Sequence, residues 1–280
     1  MQDNSMTLRF WGVRGSLPAP GAATARYGGN TLCVELRCGP HLLILDGGSG
    51  LRELGTTLAT PVRADILLSH THLDHVCGLP FFAPMFDPKV RLRIWGGHLA
   101  PPSGIADALR LCWGAPLMPD IDEAFRAHID YRDFVPGETL RLHPGLQVAT
   151  TMLRHPGNAV GFRAEWAGAS ACYITDTEHP ADGIDDNLRR FVAGADVMIY
   201  DATYTEAEYR SRIGWGHSTW QAGADLADAA SVGRLVLFHH DPGHDDAAID
   251  AIARAAAQRR PGTLAAREGM RFTISAGPEQ

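Results

Sequence analysis

A single lysine, Lys89, is present in this chain of 280 residues, and the formal net charge is -7. A protein whose main task is to grip long nucleic acid needs a basic footprint for phosphate contacts, so that class is disfavoured. A small anionic substrate stays open, because bound metal ions supply positive charge that a formal count omits. Paired cysteines are missing too. Cys33, Cys38, Cys77, Cys112 and Cys172 are odd in number, scattered and without a C-x-x-C pair, which is the usage of free thiols in a reducing compartment. No apolar run approaches the ~18 residues of a membrane span. Residues 1–7 are polar and show no secretory leader, so a cytoplasmic protein is expected. Internal repeats, low-complexity tracts and long linkers are absent as well, and one domain over residues 1–280 is the expectation.

The chain has an ample apolar share, 45%, with 20% charged residues, enough for a sizeable core under an ordinary polar surface. Short apolar runs alternate with amphipathic stretches, the pattern of an α/β protein with strands and helices layered around a shared core. Strands are expected over 8–13, 31–37, 41–45, 65–69, 90–95, 147–153, 160–166, 171–175, 197–200, 235–238 and 271–274. Helices are expected over 51–59, 105–113, 185–193, 219–230 and 246–259, the last two with N-caps at Ser218 and Asp245. The stretch 96–136 is the least regular, interrupted by Pro101-Pro102-Ser103-Gly104 and Gly114-Ala115-Pro116. It reads as a lid or binding loop, or else as an insertion or dimer contact.

The most informative segment is His70-Thr71-His72-Leu73-Asp74-His75, directly after the apolar run 66–69. Residues i and i+2 share a face only when the backbone is extended, so His70 and His72 can close on one ion if the chain is still strand-like there. At the turn from strand into helix, Asp74 and His75 can reach a neighbouring ion. Imidazole nitrogen and carboxylate oxygen are donors that zinc and similar borderline ions accept. Four ligands cannot fill two metal sites, and further donors stand at later strand ends. His155 follows 147–153 and precedes Pro156-Gly157, Asp176 terminates 171–175, and His239 ends 235–238.

This set resembles the metallo-β-lactamase superfamily, with Asp46-Gly47-Gly48-Ser49-Gly50 similar to its Asp-bearing turn ahead of the first metal motif. The resemblance covers nearly the whole chain. It implies a four-layer αβ/βα sandwich, two face-to-face sheets with helices outside and metals in a cleft at one sheet edge. Carried over, His70, His72 and His155 would hold one ion, Asp74, His75 and His239 the second, and Asp176 would bridge them. His240 competes with His239 for the last role, and an extended 235–239 favours His239. Asp46 would orient the ligating histidines rather than bind metal.

Tyr200-Asp201-Ala202-Thr203-Tyr204 and Gly216-His217-Ser218-Thr219 further resemble the C-terminal run of ribonuclease Z-like phosphodiesterases. Their first block commonly reads His-Glu-Ala-Thr, so Tyr200 and Asp201 depart from it. The openings Phe10-Trp11-Gly12-Val13-Arg14-Gly15-Ser16 and Arg26-Tyr27-Gly28-Gly29-Asn30-Thr31 also look like this group and its cyclic phosphodiesterases.

Two divalent ions ~3.5 to 4 Å apart lower the pKa of a shared water and neutralise phosphoryl oxygens. Zinc is the expected metal, with manganese and iron also compatible. Asp74 is the candidate proton acceptor, and His217 the candidate general acid or transition-state stabiliser, unless it caps the helix that follows it. Arg14, Tyr204 and Trp215 are candidates for the cleft wall. The expected activity is metal-dependent hydrolysis of a small phosphodiester such as a cyclic nucleotide or cyclic phosphate. The alternatives are a ribonuclease Z-like RNA endonuclease, whose projecting RNA-gripping arm has no evident basic, glycine-rich counterpart here, and a carboxylic ester, thioester or lactone hydrolase. The resemblance also makes a homodimer an expected arrangement.

Overall fold

Apolar runs without alternation, such as Leu42-Leu43-Ile44-Leu45 and Leu235-Val236-Leu237-Phe238, belong to strands covered on both faces. The computed structural model describes residues 4–99, 101–116, 118–119 and 122–274, and in it these runs separate two sheets from their helical covers. The first sheet holds β1 (Met6–Gly12), β2 (Cys33–Cys38), β3 (His41–Leu45), β4 (Arg63–Leu68), β5 (Arg91–Gly96) and β6 (His128–Asp133). The second holds β7 (Thr139–His143), β8 (Leu146–Leu153), β9 (Ala159–Trp166), β10 (Ala169–Ile174), β11 (Val197–Asp201), β12 (Arg234–Phe238) and β13 (Leu264–Ala265). Finally β14 (Arg271–Ile274) returns to pair antiparallel with β1, giving the orders β14-β1-β2-β3-β4-β5-β6 and β13-β12-β11-β10-β9-β8-β7.

Between the sheets lie Leu43, Leu45, Leu67, Tyr173, Ile199, Val236 and Phe238. Their immediate neighbours in sequence point outward, as the two-residue period of a strand requires. Ile44, Ile66 and Ile94 pack under α1 (Gly50–Thr57) and α3 (Ile105–Trp113), with α2 (Leu73–Val76) beside them. On the second sheet Ile174, Met198 and Leu237 pack with residues of α4 (Asp186–Phe191), α6 (Trp220–Ala229) and α7 (Asp246–Arg259), while the short α5 (Glu206–Tyr209) follows β11. The result is the four-layer αβ/βα sandwich of the metallo-β-lactamase fold. Each fully buried leucine, isoleucine or phenylalanine in these layers contributes roughly 1.5–3 kcal/mol.

Two differences from the sequence reading have physical causes. Strand β6 lies within the stretch read as irregular. It is a polar edge strand whose residues are mostly exposed, so it carries no apolar signature. Helix α3, expected over 105–113, buries Ile105, Leu109 and Trp113, and β6 pairs with β5, so these parts of 96–136 are built into the sandwich. The cap of α6 is Thr219, whose side chain accepts from Ala222 N, and not Ser218. Asp245 caps α7 as expected. All five cysteines are free. Among the described residues, no helix is long and apolar enough to cross a membrane.

Candidate metal centre

Strand ends converge on one edge of the sandwich. Asp46 follows β3, His70 to His75 follow β4, His155 follows β8, Asp176 follows β10, Asp201 ends β11 and His239 follows β12. Asp46, Asp176 and His239 leave the strand pattern through left-handed backbone, with φ of 59°, 52° and 59°. Such conformations are rare for residues other than glycine and cost about 1–3 kcal/mol each unless the surroundings enforce them. His239 therefore does not continue β12 as an extended residue. The turn aims its ring at Asp74 and Asp176, while His240 faces the Ala266 carbonyl through Nε2 at 2.8 Å. Burial lowers the His240 pKa to about 3.

All seven residues expected as ligands come together. His70, His72 and His155 form one group of potential ligand atoms within 4.8 Å of one another, and Asp74, His75 and His239 another. Asp176 stands between the groups. Its Oδ1 lies 3.8 Å from His70 Nε2 and 3.7 Å from His155 Nε2, and its Oδ2 lies 3.2 Å from His75 Nε2 and 3.3 Å from His239 Nε2. Glycine is required where the chain passes closest: a Cβ on Gly15 would sit 2.0 Å from the His239 ring.

The Nε2 atoms of His70, His75 and His239 are buried without hydrogen-bond partners. Each orphaned group costs about 1–3 kcal/mol. Their other ring nitrogens are oriented from behind, as is usual for metal-binding imidazoles. Asp46 Oδ2 accepts from His75 Nδ1 at 2.7 Å, and it also receives Ser69 Oγ and Tyr173 Oη. His155 Nδ1 donates to the Gly216 carbonyl at 2.8 Å. His239 Nδ1 donates to Thr203 Oγ1, which donates to Asp201 Oδ1.

Electrostatics point the same way. Burial lowers the pKa of His70, His72 and His155 and keeps them neutral, the form that binds metal. At His75 and His239 burial also opposes charge, but Asp176 with Asp74 outweighs it and raises both imidazoles well above their usual value. Asp74 and Asp176 are held low, because His75 and His239 overcome the burial penalty on their charge. The ionised Asp74 and Asp176 offer the same field to cations, which displace the protons of His75 and His239 on binding. Orphaned nitrogens, a central carboxylate and a mixed nitrogen and oxygen donor set fit a dinuclear divalent-metal centre.

With this geometry established, comparison with known proteins gives a match to the β-lactamase superfamily domain over residues 42–240. The chain belongs to the metallo-β-lactamase superfamily. Within it, the chain is closely related to the ribonuclease Z-like and cyclic phosphodiesterase-like members, and it is a metal-dependent hydrolase. It is 29% identical over 247 residues to a ribonuclease Z of Mycobacterium sp. (strain KMS), covering 80% of this chain and 81% of the relative. In fold it is similar to the metallo-β-lactamase fold protein YhfI from Bacillus subtilis, with TM-score 0.74, 20% identity and 97% and 100% coverage of the two chains. It is likewise similar to a diphosphatase from the PhnP family, with TM-score 0.70, 17% identity and 98% and 100% coverage.

Several residues of this superfamily member escaped the sequence reading or were misjudged. Asp201 departs from the expected glutamate, yet its Oδ2 accepts from His217 Nδ1 at 2.9 Å. The signal was available, since Asp201 ends an apolar strand just as Asp176 follows one. Arg14 is fully buried, not exposed to a cleft, and its guanidinium donates to the carbonyls of Gly28, Asp241 and His244. Tyr204 is buried with its ring centroid 5.8 Å from that of His217, and Trp215 is 62% exposed. Glu178 was not anticipated at all. Its carboxylate accepts from Gly214 N at 2.9 Å, Gly216 N at 3.0 Å and Tyr209 Oη at 3.2 Å. It thereby holds the loop that carries His217 and presents the Gly216 carbonyl to His155. Glu178→Ala is expected to lower kcat by about 10-fold, the cost of roughly one lost charge-assisted hydrogen bond. Steady-state kinetics beside metal analysis checks this, with metal content expected to stay at the wild-type level.

Proposed function

We propose that the chain is a phosphodiesterase acting on a small phosphodiester, such as a cyclic nucleotide or cyclic phosphate, with two zinc ions. His70, His72 and His155 would hold one ion, Asp74, His75 and His239 the other, and Asp176 would join them. When bound, the ions activate a water and neutralise charge on the phosphoryl oxygens. Asp74, kept ionised by its low pKa, is the proposed acceptor of that water's proton.

The observation that carries the reading is the buried His217–Asp201 pair beside Asp176. Thr219, not His217, caps the helix that follows, so His217 is not spent on that duty. Asp201 fixes Nδ1 as a donor and leaves Nε2 to deliver a proton to the leaving oxygen. Asp201 itself stays ionised because His217 overcomes its burial. A phosphodiester has an alkoxide leaving group that needs such an acid. Small size is supported by a pocket of about 630 Å³ that His155 lines and by the net charge of -7, which offers no basic footprint for a long polyanion. Zinc suits the five histidine nitrogens and two carboxylates of the proposed shell.

A second reading, RNA cleavage, is favoured by the resemblance to a protein known as ribonuclease Z. One metal-loaded preparation should be assayed on bis(p-nitrophenyl) phosphate, cyclic mononucleotides, a tRNA precursor, a lactone and a thioester. Turnover of the small phosphodiesters is expected, and a chelator should abolish it until zinc is restored. Faster turnover of the tRNA precursor would favour the second reading. Activity confined to the lactone or thioester would sink both.

A further inference from the structure

Strand β5 runs parallel to β4 with Gly96 paired to Leu68. His98 therefore leaves the first sheet beside His70, and the two rings meet edge to face with centroids 6.3 Å apart. His98 is buried, yet it belongs to none of the groups of potential metal ligands found among the described residues. Its Nε2 instead shares a hydrogen bond of 3.0 Å with Thr71 Oγ1, while its Nδ1 is buried without a partner. A buried orphan of this kind costs about 1–3 kcal/mol, which an apolar side chain in the same place would avoid. What the imidazole supplies in return is the bond to Thr71.

Thr71 stands between His70 and His72, in the stretch that joins β4 to α2 and belongs to neither. Neither a sheet ladder nor a helical turn fixes the chain there, so a side-chain bond decides its course. From its main chain, His98 reaches the second sheet. Its carbonyl accepts from Asn158 Nδ2 at 3.3 Å, and Asn158 N donates to the His155 carbonyl at 3.0 Å. One residue thus touches the segment that carries His70 and His72 and the turn that carries His155.

We propose that His98 is a positioning residue for the ion assigned to His70, His72 and His155: through Thr71 its ring sets the first two histidines in register with the third. This rests on the ligand set given under the proposed function. The ring touches neither ion. It acts on the spacing of the three imidazoles, and so on how tightly they close.

The test titrates zinc onto the full chain against a competing chromophoric chelator, which resolves the two equivalents. Thr71→Val keeps the branched shape of the side chain and removes its hydroxyl, and His98→Ala removes the ring. Each is expected to weaken one equivalent by about 10-fold, as for other residues that orient metal ligands, and to leave the second within about twofold. Because both substitutions break the same contact, the double variant should bind no more weakly than the poorer single one. His72→Ala identifies the affected equivalent: it should lose that one, and adding Thr71→Val should change the affinity of the remaining ion by less than about twofold. Additive losses, equal weakening of both equivalents, or wild-type affinity in Thr71→Val would overturn the role of His98 and leave the ligand set standing. If His72→Ala keeps both equivalents at wild-type affinity, the ligand set falls and takes the role of His98 with it.

Discussion

Replacing His217 with alanine is expected to leave two equivalents of bound metal while kcat falls by about 10²-fold or more, the usual contribution of a positioned general acid. The imidazole side chain is 11% exposed and its Nδ1 is held by Asp201, which also accepts from Thr177 N and Thr203. Loss of the ring therefore leaves the Asp201 carboxylate with other donors, and the seven proposed ligands keep their own supports. The deficit should appear in kcat with KM little changed. It should also shrink on a substrate whose leaving group is already acidic, such as a p-nitrophenyl ester, because that oxygen departs without a proton. Metal analysis and kinetics on two leaving groups together check this. Wild-type turnover in the variant would remove His217 from the mechanism, and parallel loss of metal and activity would make it a ligand instead.

Asp176→Asn is expected to have the larger effect, a drop of about 10³-fold or more in kcat/KM, equivalent to the several kcal/mol that metal-ion catalysis supplies. The Asp176 carboxylate lies within 3.8 Å of ring nitrogens of five histidines, His70, His75, His155, His217 and His239. The amide keeps the volume but loses the negative charge, and its nitrogen would face imidazole nitrogens that expect an acceptor. Metal content should fall below two equivalents, as measured by elemental analysis after gel filtration. Thermal denaturation offers an independent check. Added zinc should raise the wild-type Tm by stabilising the native state through binding, and should raise the variant's much less. A variant that retains both ions and full activity would contradict the central place given to Asp176.

Much of this centre was legible in the sequence because its richest part is local. His70, His72, Asp74 and His75 fall within six residues, and the remaining donors each follow an apolar run, so strand-end position marks them. Residues that act through the backbone leave no such mark. Glu178 matters because it accepts from the amides of Gly214 and Gly216, a contact that exists only after the loops have met. Arg14 was a candidate for the cleft wall, but tertiary packing spends its guanidinium on three carbonyls. The edge strand β6 was invisible because burial writes periodicity into a sequence, and an exposed edge has little burial to record. Asp201 was discounted by comparison with a family motif when its own position at the end of β11 was the better guide.

The six-residue cluster after β4 and the turn after β3 belong to the first sheet, whereas His155, Asp176 and His239 hang from the second. Neither half of the polypeptide owns a complete cage. High-affinity cation capture must await the closing of one layer upon the other, so zinc uptake during refolding should register as a late event. The ions would then fasten the two halves together like a rivet, making chelation a mechanical as well as a chemical insult.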